Sequence, residues 1–311
     1  MDWRAPVLRR RLCSVLDMHT FASVVPQVAL PDSRISSAQI AALAEHSLRL
    51  EIETWPKPGL VSHVDAGSHS DMDARTFHRS ATALRPFFAE LAEAGERGDP
   101  MLTLRKIGLR AECAMLEATG GVNTHRGAIF GLGLLCAAAG VSESGRVDRE
   151  LPLGVIVSRC WGRDIVAGPR LSESHGEVVS RRFGVGGARW EAARGFPSIY
   201  QVGLPALHSA SPWVPDDAEA ARVQACFALI ASVEDTNILH RGGAQGLRFA
   251  RQAAQSFLYR GGVARSDWRR RAAAVHFAFV ERGLSPGGAA DLLTMSLFVM
   301  QLSKCQEIAP P

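Results

Sequence analysis

Residues 127–141 read GAIFGLGLLCAAAGV, a run with four glycines and no charged side chain. A helix that is apolar on every side has to be enclosed by other parts of the fold or by lipid. This run is too short and too glycine-rich for a membrane span. It is therefore expected to be a buried helix around which others pack. Gly127 and Gly131 lie four apart on one face, where a neighbouring helix or a ligand can come close. The residues just before, TGGVNTHR from Thr119, are of another kind. The glycine pair Gly120–Gly121 permits positive φ, and Asn123 or Thr124 can cap the helix that follows. The free N–H groups and positive dipole end of that helix make an anion site, to which His125 and Arg126 add donors. The same residues equally suit a plain joint, a glycine stop followed by an Asn or Thr cap.

The rest of the chain is helical in pattern. Ala and Leu are abundant and there are only two tyrosines, a balance that favours helix over strand. Helical periodicity with end signals appears from Ser36, over residues 74–95 with an interruption at Pro86, over 100–120, and over 155–163. It returns over 216–235 with Asp216 or Asp217 as cap, then over 248–262, 267–283 and 285–304, where Ser285 is the expected cap. Residues 168–215 are rich in Gly and Pro and read as irregular or short helices. No strand series or βαβ alternation is present. The expectation is an all-α fold, a single multi-helix domain of about ten helices with long functional loops. Residues 1–35 would be an N-terminal arm and 36–311 an all-helical catalytic domain.

The net charge is +4, nearly all of the excess supplied by Arg, with Lys only at 57, 106 and 304. Arginine suits bidentate phosphate recognition, so an anionic substrate is plausible. No basic run interleaved with aromatics points to nucleic acid. The six cysteines are scattered without CxxC spacing, and most, including Cys113 and Cys136, read as buried hydrophobes in a reduced, cytoplasmic protein. The first residues resemble a signal peptide faintly, but Asp17 and His19 break the apolar region.

Two further polar stretches and one helix residue carry candidate chemistry. PKPGLVSHVDAGSHSDMD contributes Lys57, a point charge held between prolines, and Asp71 and Asp73, which could hold Mg²⁺ together with substrate phosphates. A zinc pattern is absent. SVEDTNILHRGG places Asp235 and Asn237 at a helix end where negative charge opposes the dipole, which signals a ligand or a local cap. Glu112 sits on the helix before the glycine pair, where it could be an ordinary surface partner.

Taken in order, PKPGLV, GSHSDMD, LRKIGLRAECAMLEATGGVNTHRGAIFGLGLLCAAAG, SHGE, RWEAARGFPS, EDTNILHRGG and LSPGGAADLL resemble the triphosphoribosyl-dephospho-CoA synthase family. That family serves citrate lyase and malonate decarboxylase, and the likeness leans to the malonate decarboxylase branch. Trp55 departs from the small residue expected before PKPGLV. The resemblance implies a pentosyltransferase that joins ATP and 3′-dephospho-CoA and releases adenine. Its product would go to a separate transferase acting on an acyl carrier protein. It implies Mg²⁺, no nucleic-acid or membrane partner, and is compatible with a homodimer. By the same resemblance, Glu112 or Asp235 supplies a catalytic carboxylate, and Asp71, Asp73 or Asp235 binds the metal. Lys57, Gly59, His69, Arg105, Gly120, Gly121, Asn123, Thr124, His125, Arg126, Arg189, Glu191 and Asn237 contact substrate, with phosphate held by Lys57, the 120–126 turn and Arg189. The rival readings are a Mg²⁺-dependent helical nucleotide hydrolase or phosphotransferase, and a non-enzymatic module that binds CoA or a carrier protein.

Overall fold

The computed structural model of the protein describes residues 34–169 and 175–308. Among them are twelve α-helices and no strand, so the chain is all-α. The helices are α1 (Ser37–Ile52), α2 (Ala74–Arg97), α3 (Met101–Thr119), α4 (Arg126–Glu143), α5 (Leu153–Ala167) and α6 (His175–Phe183). They continue with α7 (Gly187–Ala193), α8 (Leu204–Ala210), α9 (Ala218–Ser232), α10 (Thr236–Tyr259), α11 (Trp268–Val280) and α12 (Gly287–Ile308). A π-helical turn, Ile199–Gly203, and a 3₁₀ turn, Gly262–Ala264, complete the set.

The glycine-rich run forms α4, the core of the fold, buried without a break from Gly131 through Glu143. It packs against α1, α2, α3, α5 and α12. By length and composition α4 is a possible membrane span, but 83% of it is buried inside the fold. Enclosure by protein thus replaces enclosure by lipid.

Glycine sets how closely the neighbours approach. A Cβ on Gly95 would stand 1.9 Å from the Ala137 carbonyl oxygen, and one on Gly140 would stand 1.9 Å from that of Ala92. Bare backbone on both helices therefore fixes the α2–α4 crossing. On another face, Cβ atoms at Gly127 and Gly131 would meet the Asp291 carboxylate and the Met295 sulfur at 1.9 and 2.5 Å. The neighbour that the Gly127/Gly131 spacing invites is α12, whose residues 291 and 295 share the same four-residue spacing.

Local end signals behave unevenly. Ser36 caps α1 in a reciprocal box with Gln39, and the Asp217 carboxylate accepts from Ala220 N at 2.9 Å. Pro86 does not interrupt α2. It lies on the exposed side, while Leu84, Phe88 and Leu91 anchor the buried side across it. The residue 237–244 stretch lies inside α10, which kinks at Gly243 (φ 58°). Ser285 is spent on His69, whose Nε2 lies 2.9 Å from the serine Oγ. Cys136 and Cys226 are buried, whereas Cys113 is exposed, contrary to the hydrophobic reading of its neighbours.

Candidate functional site

The first turn of α4 meets the end of α1 and the starts of α10 and α12 around ionisable side chains that the fold has taken out of water. Glu51, on the last turn of α1, is buried and pairs with the ammonium of Lys57, which has no exposed surface. The loop carrying Lys57 is pinned to the α11–α12 connection. His276 Nδ1 donates to the Lys57 carbonyl at 2.6 Å, and Ser68 Oγ donates to the Leu284 carbonyl at 2.7 Å. Gly59 (φ 66°) lies so close to Leu284 that a Cβ would stand 2.0 Å from its carbonyl oxygen. Arg241 closes the same joint by donating to the Ser68 and Gly283 carbonyls, each at 3.1 Å.

Asp235 is the N-cap of α10, and it serves two helices. Its Oδ1 accepts from Asn237 N at 2.8 Å and Ile238 N at 3.2 Å, while Oδ2 accepts from Ala289 N at 2.9 Å in the first turn of α12. The Gly288 N–H also contributes, at a glycine whose Cβ would press within 3.0 Å of Oδ2. The helix-end position expected to oppose a dipole is a helix start, where a carboxylate is favoured. Its lone pairs are taken by backbone.

Asp291, one turn into α12, lies against Gly127 and accepts from the Ala128 N–H of α4. Part of the residue stays accessible. Burial, then the charges of Asp235 and Glu51, push its carboxyl well above the usual range, against the pull of the Ala128 N–H. Burial also raises Glu51 against the lowering effect of Lys57, and raises Asp235 against its backbone donors. Three carboxyl groups beside one ammonium leave negative charge that a low-dielectric interior disfavours, which is why all three are pushed upward.

His125 enters α4 beside this group. Its Nδ1 lies 2.7 Å from Ser80 Oγ on α2, and Thr124 Oγ1 donates to the same serine oxygen at 2.9 Å. Burial first, then the charges of Lys57 and His78, push the ring down to about 3, so it is neutral at physiological pH. Its Nε2 is buried with no hydrogen-bond partner among the described residues.

The family model described as ATP:dephospho-CoA triphosphoribosyl transferase (CitG) matches residues 37–309. The chain belongs to that family. It is an enzyme, a transferase. A relative from Azotobacter vinelandii, named probable 2-(5''-triphosphoribosyl)-3'-dephosphocoenzyme-A synthase, is 39% identical over 291 residues, covering 92% of this chain and 96% of the relative. Relatives of the same name from Stutzerimonas stutzeri and Photobacterium profundum are 40% and 36% identical, covering 86% and 85% of this chain and 93% and 88% of their own. No solved structure matches the chain.

In this member of the transferase family, the expected site residues fall into separate settings. Lys57, His125 and Asp235 come together in the interior cluster, where Glu51 shields the Lys57 ammonium. Gly120 and Gly121 (φ 70° and 92°) end α3, the latter donating to Leu116 O at 2.7 Å, and both are exposed with open space where a side chain would be. Asn123 Oδ1 accepts from Arg126 N at 3.2 Å, and Arg126 pairs with Glu112 at 3.0 Å at the surface. Asn237 packs its amide against Gly287, and His69 lies between Ser285 and Arg241.

The Arg189 guanidinium donates to the Ile165, Gly168 and Pro169 carbonyls, closing the end of α5, and Arg105 lies beside Gly168. Glu191 accepts from Ser198 N at 2.7 Å. Asp73 caps α2 through Thr76 N at 2.8 Å, and Asp71 is largely exposed, 3.7 Å from His69. Among the described residues no group of three or more His, Cys, Asp or Glu side chains is arranged to hold a metal. For Mg²⁺ arriving on substrate phosphates, one or two carboxylates suffice. Asp71 has lone pairs open to solvent for that purpose, and Asp235 has none. Of the SHGE motif, Ser174 and the side chains of residues 175–177 lie outside the described residues, as does the arm through residue 33.

Glu51, Ser80 and Asp291 were not singled out from sequence. Asp291 had a signal: it is the lone acid between AA and LLTMSLFVM, where a charge on an apolar helix needs a partner.

Proposed function

We propose that the protein transfers the triphosphoribosyl group of ATP to the 2′-hydroxyl of 3′-dephospho-CoA and releases adenine. The observation that carries this reading is the buried acid cluster at the α1–α4–α10–α12 meeting point, in a chain of the triphosphoribosyl transferase family. Displacement at the ribose anomeric carbon breaks the bond to adenine N9, whose electron pair leaves with the base, as the 2′-oxygen bonds to that carbon. The hydroxyl gives up its proton and adenine gains one, so the step balances through one proton acceptor and one donor.

Asp291, whose carboxyl burial pushes upward and part of which stays accessible, suits the donor. Glu112, paired with Arg126 at the rim of the same α4 turn, suits the acceptor. Asp235 holds the starts of α10 and α12 in register and leaves the chemistry to its neighbours. Arg126 and the exposed 120–123 turn are placed to receive the triphosphate. Mg²⁺, when bound, would neutralise phosphate charge, with Asp71 as its protein ligand. The same proposal includes a cytoplasmic setting and a product destined, through a second transferase, for the carrier protein of malonate decarboxylase.

The purified protein incubated with ATP, Mg²⁺ and dephospho-CoA is expected to release free adenine by HPLC, dependent on dephospho-CoA. ADP in place of adenine would contradict the reading and identify a phosphotransferase or hydrolase. No turnover at all, with CoA still bound, would favour a binding module.

A further inference from the structure

A buried N–H without an acceptor costs roughly 1–3 kcal/mol and calls for an explanation in a well-packed fold. His125 Nε2 is a buried nitrogen with no partner among the described residues, and it is such an N–H when the ring proton sits on it. The partners of the other ring nitrogen allow a tautomer that leaves the proton on Nε2. Thr124 Oγ1 lies 2.9 Å from Ser80 Oγ, and with Thr124 as donor the serine proton can point at His125 Nδ1, 2.7 Å away. In that arrangement Nδ1 accepts, and the single proton of the neutral ring sits on Nε2.

The surroundings select what that proton is for. The Phe77 ring stands edge-on to the imidazole with centroids 4.9 Å apart, and the Met115 sulfur lies 3.2 Å from the His125 backbone N. The ring thus sits among apolar groups, which suit an uncharged acceptor better than an anion. On the inner side of the first turn of α4 the Ala128 N–H and the space left by Gly127 are already taken by the Asp291 carboxyl, so an anion beside the His125 ring would find no backbone donor there. The acceptor missing from Nε2 is therefore expected to be uncharged.

We propose that His125 Nε2–H is a neutral hydrogen-bond donor to a ring nitrogen of the departing purine, with Ser80 and Thr124 as the positioning residues that fix its tautomer. This rests on the adenine-releasing reading above. As the glycosidic bond breaks, its electron pair spreads over the purine onto N3 and N7, and a donor already aimed there gains strength in the transition state. A neutral imidazole at a helix start can polarise a substrate without giving up its proton, as triosephosphate isomerase illustrates.

The test pairs His125→Phe with three nucleotides: ATP, 7-deaza-ATP and 3-deaza-ATP. With ATP the variant is expected to lose about 100-fold in kcat. With the one analogue that lacks the accepting nitrogen, the unaltered enzyme should already be slow and the substitution should add less than about 3-fold. His125→Gln, which restores an N–H near the same place, should recover part of the loss. Ser80→Ala should lower kcat with little change in KM, and the ¹⁵N spectrum of His125 should pass from one Nε2–H tautomer to a mixture. Equal losses with all three nucleotides, or none, would overturn the assignment. So would a weakened inhibition by tripolyphosphate in His125→Phe, which would place a phosphate on Nε2. If the unaltered enzyme releases purine from none of the three, the transfer reading itself falls, and this assignment with it. If His125→Phe fails to fold, the Gln and Ser80→Ala variants carry the same comparison.

Discussion

Lys57 is a lysine with no exposed surface, and its one carboxylate partner among the described residues is Glu51, itself nearly enclosed. Removing one member of such a pair leaves the other charge stranded, which typically costs about 3–5 kcal/mol. Lys57→Met is therefore expected to lower unfolding stability by that amount in urea titrations, and Glu51→Leu added to it should recover most of the loss. An additive double variant would show that the pair is not coupled. His125 gives a second residue-level prediction. Its folded pKa of about 3 lies below the ordinary value of 6.5, so the unfolded chain binds a proton that the folded chain refuses. The stability it contributes is complete above pH 6.5 and is lost as pH falls toward 3, at up to about 1.4 kcal/mol per pH unit. Urea midpoints at pH 7 and pH 5 should converge in His125→Gln relative to the unaltered protein. Parallel midpoints would contradict the buried neutral ring.

At the scale of elements, the contact between α4 and α12 joins packing to chemistry. Gly127 leaves the volume that the Asp291 carboxyl fills. Gly127→Ala is expected to displace that carboxyl, with an activity loss on the order of 10–100-fold and a shift in Tm of only a few degrees, measured by adenine release and calorimetry. Full activity would remove Asp291 from the reaction. Much at this scale was legible in the chain. The apolar run of α4, the Ser36 cap and the glycine stop at Gly120 are each settled within a few residues by local backbone chemistry. What was not legible is non-local. Asp235 joins the starts of two helices through Ala289 N, 54 residues further along the chain, so its neighbours in sequence could not separate a cap from a metal ligand or a catalytic acid. Arg189, read as a phosphate contact, closes the end of α5 with bonds to carbonyls some 20 residues earlier. Ser80 faces α4 only because α2 crosses it at the bare backbones of Gly95 and Gly140.

For the molecule as a whole, one apolar helix serves both fold and site. The other helices enclose α4, and its first turn projects into the interior cluster of Glu51, Lys57, His125, Asp235 and Asp291. The family assignment covers nearly all the described residues, and the proposed reaction asks ATP to serve as a ribosyl donor whose three phosphates stay attached. The most direct measurement follows two labels at once, ¹⁴C in the adenine ring and ³²P at the γ-phosphate, in a reaction with dephospho-CoA. The account predicts that ¹⁴C appears as free adenine while ³²P appears, in equal amount, in a product heavier than dephospho-CoA by the triphosphoribosyl unit. Release of ³²P as inorganic phosphate, or of ¹⁴C as ADP or AMP, would contradict it.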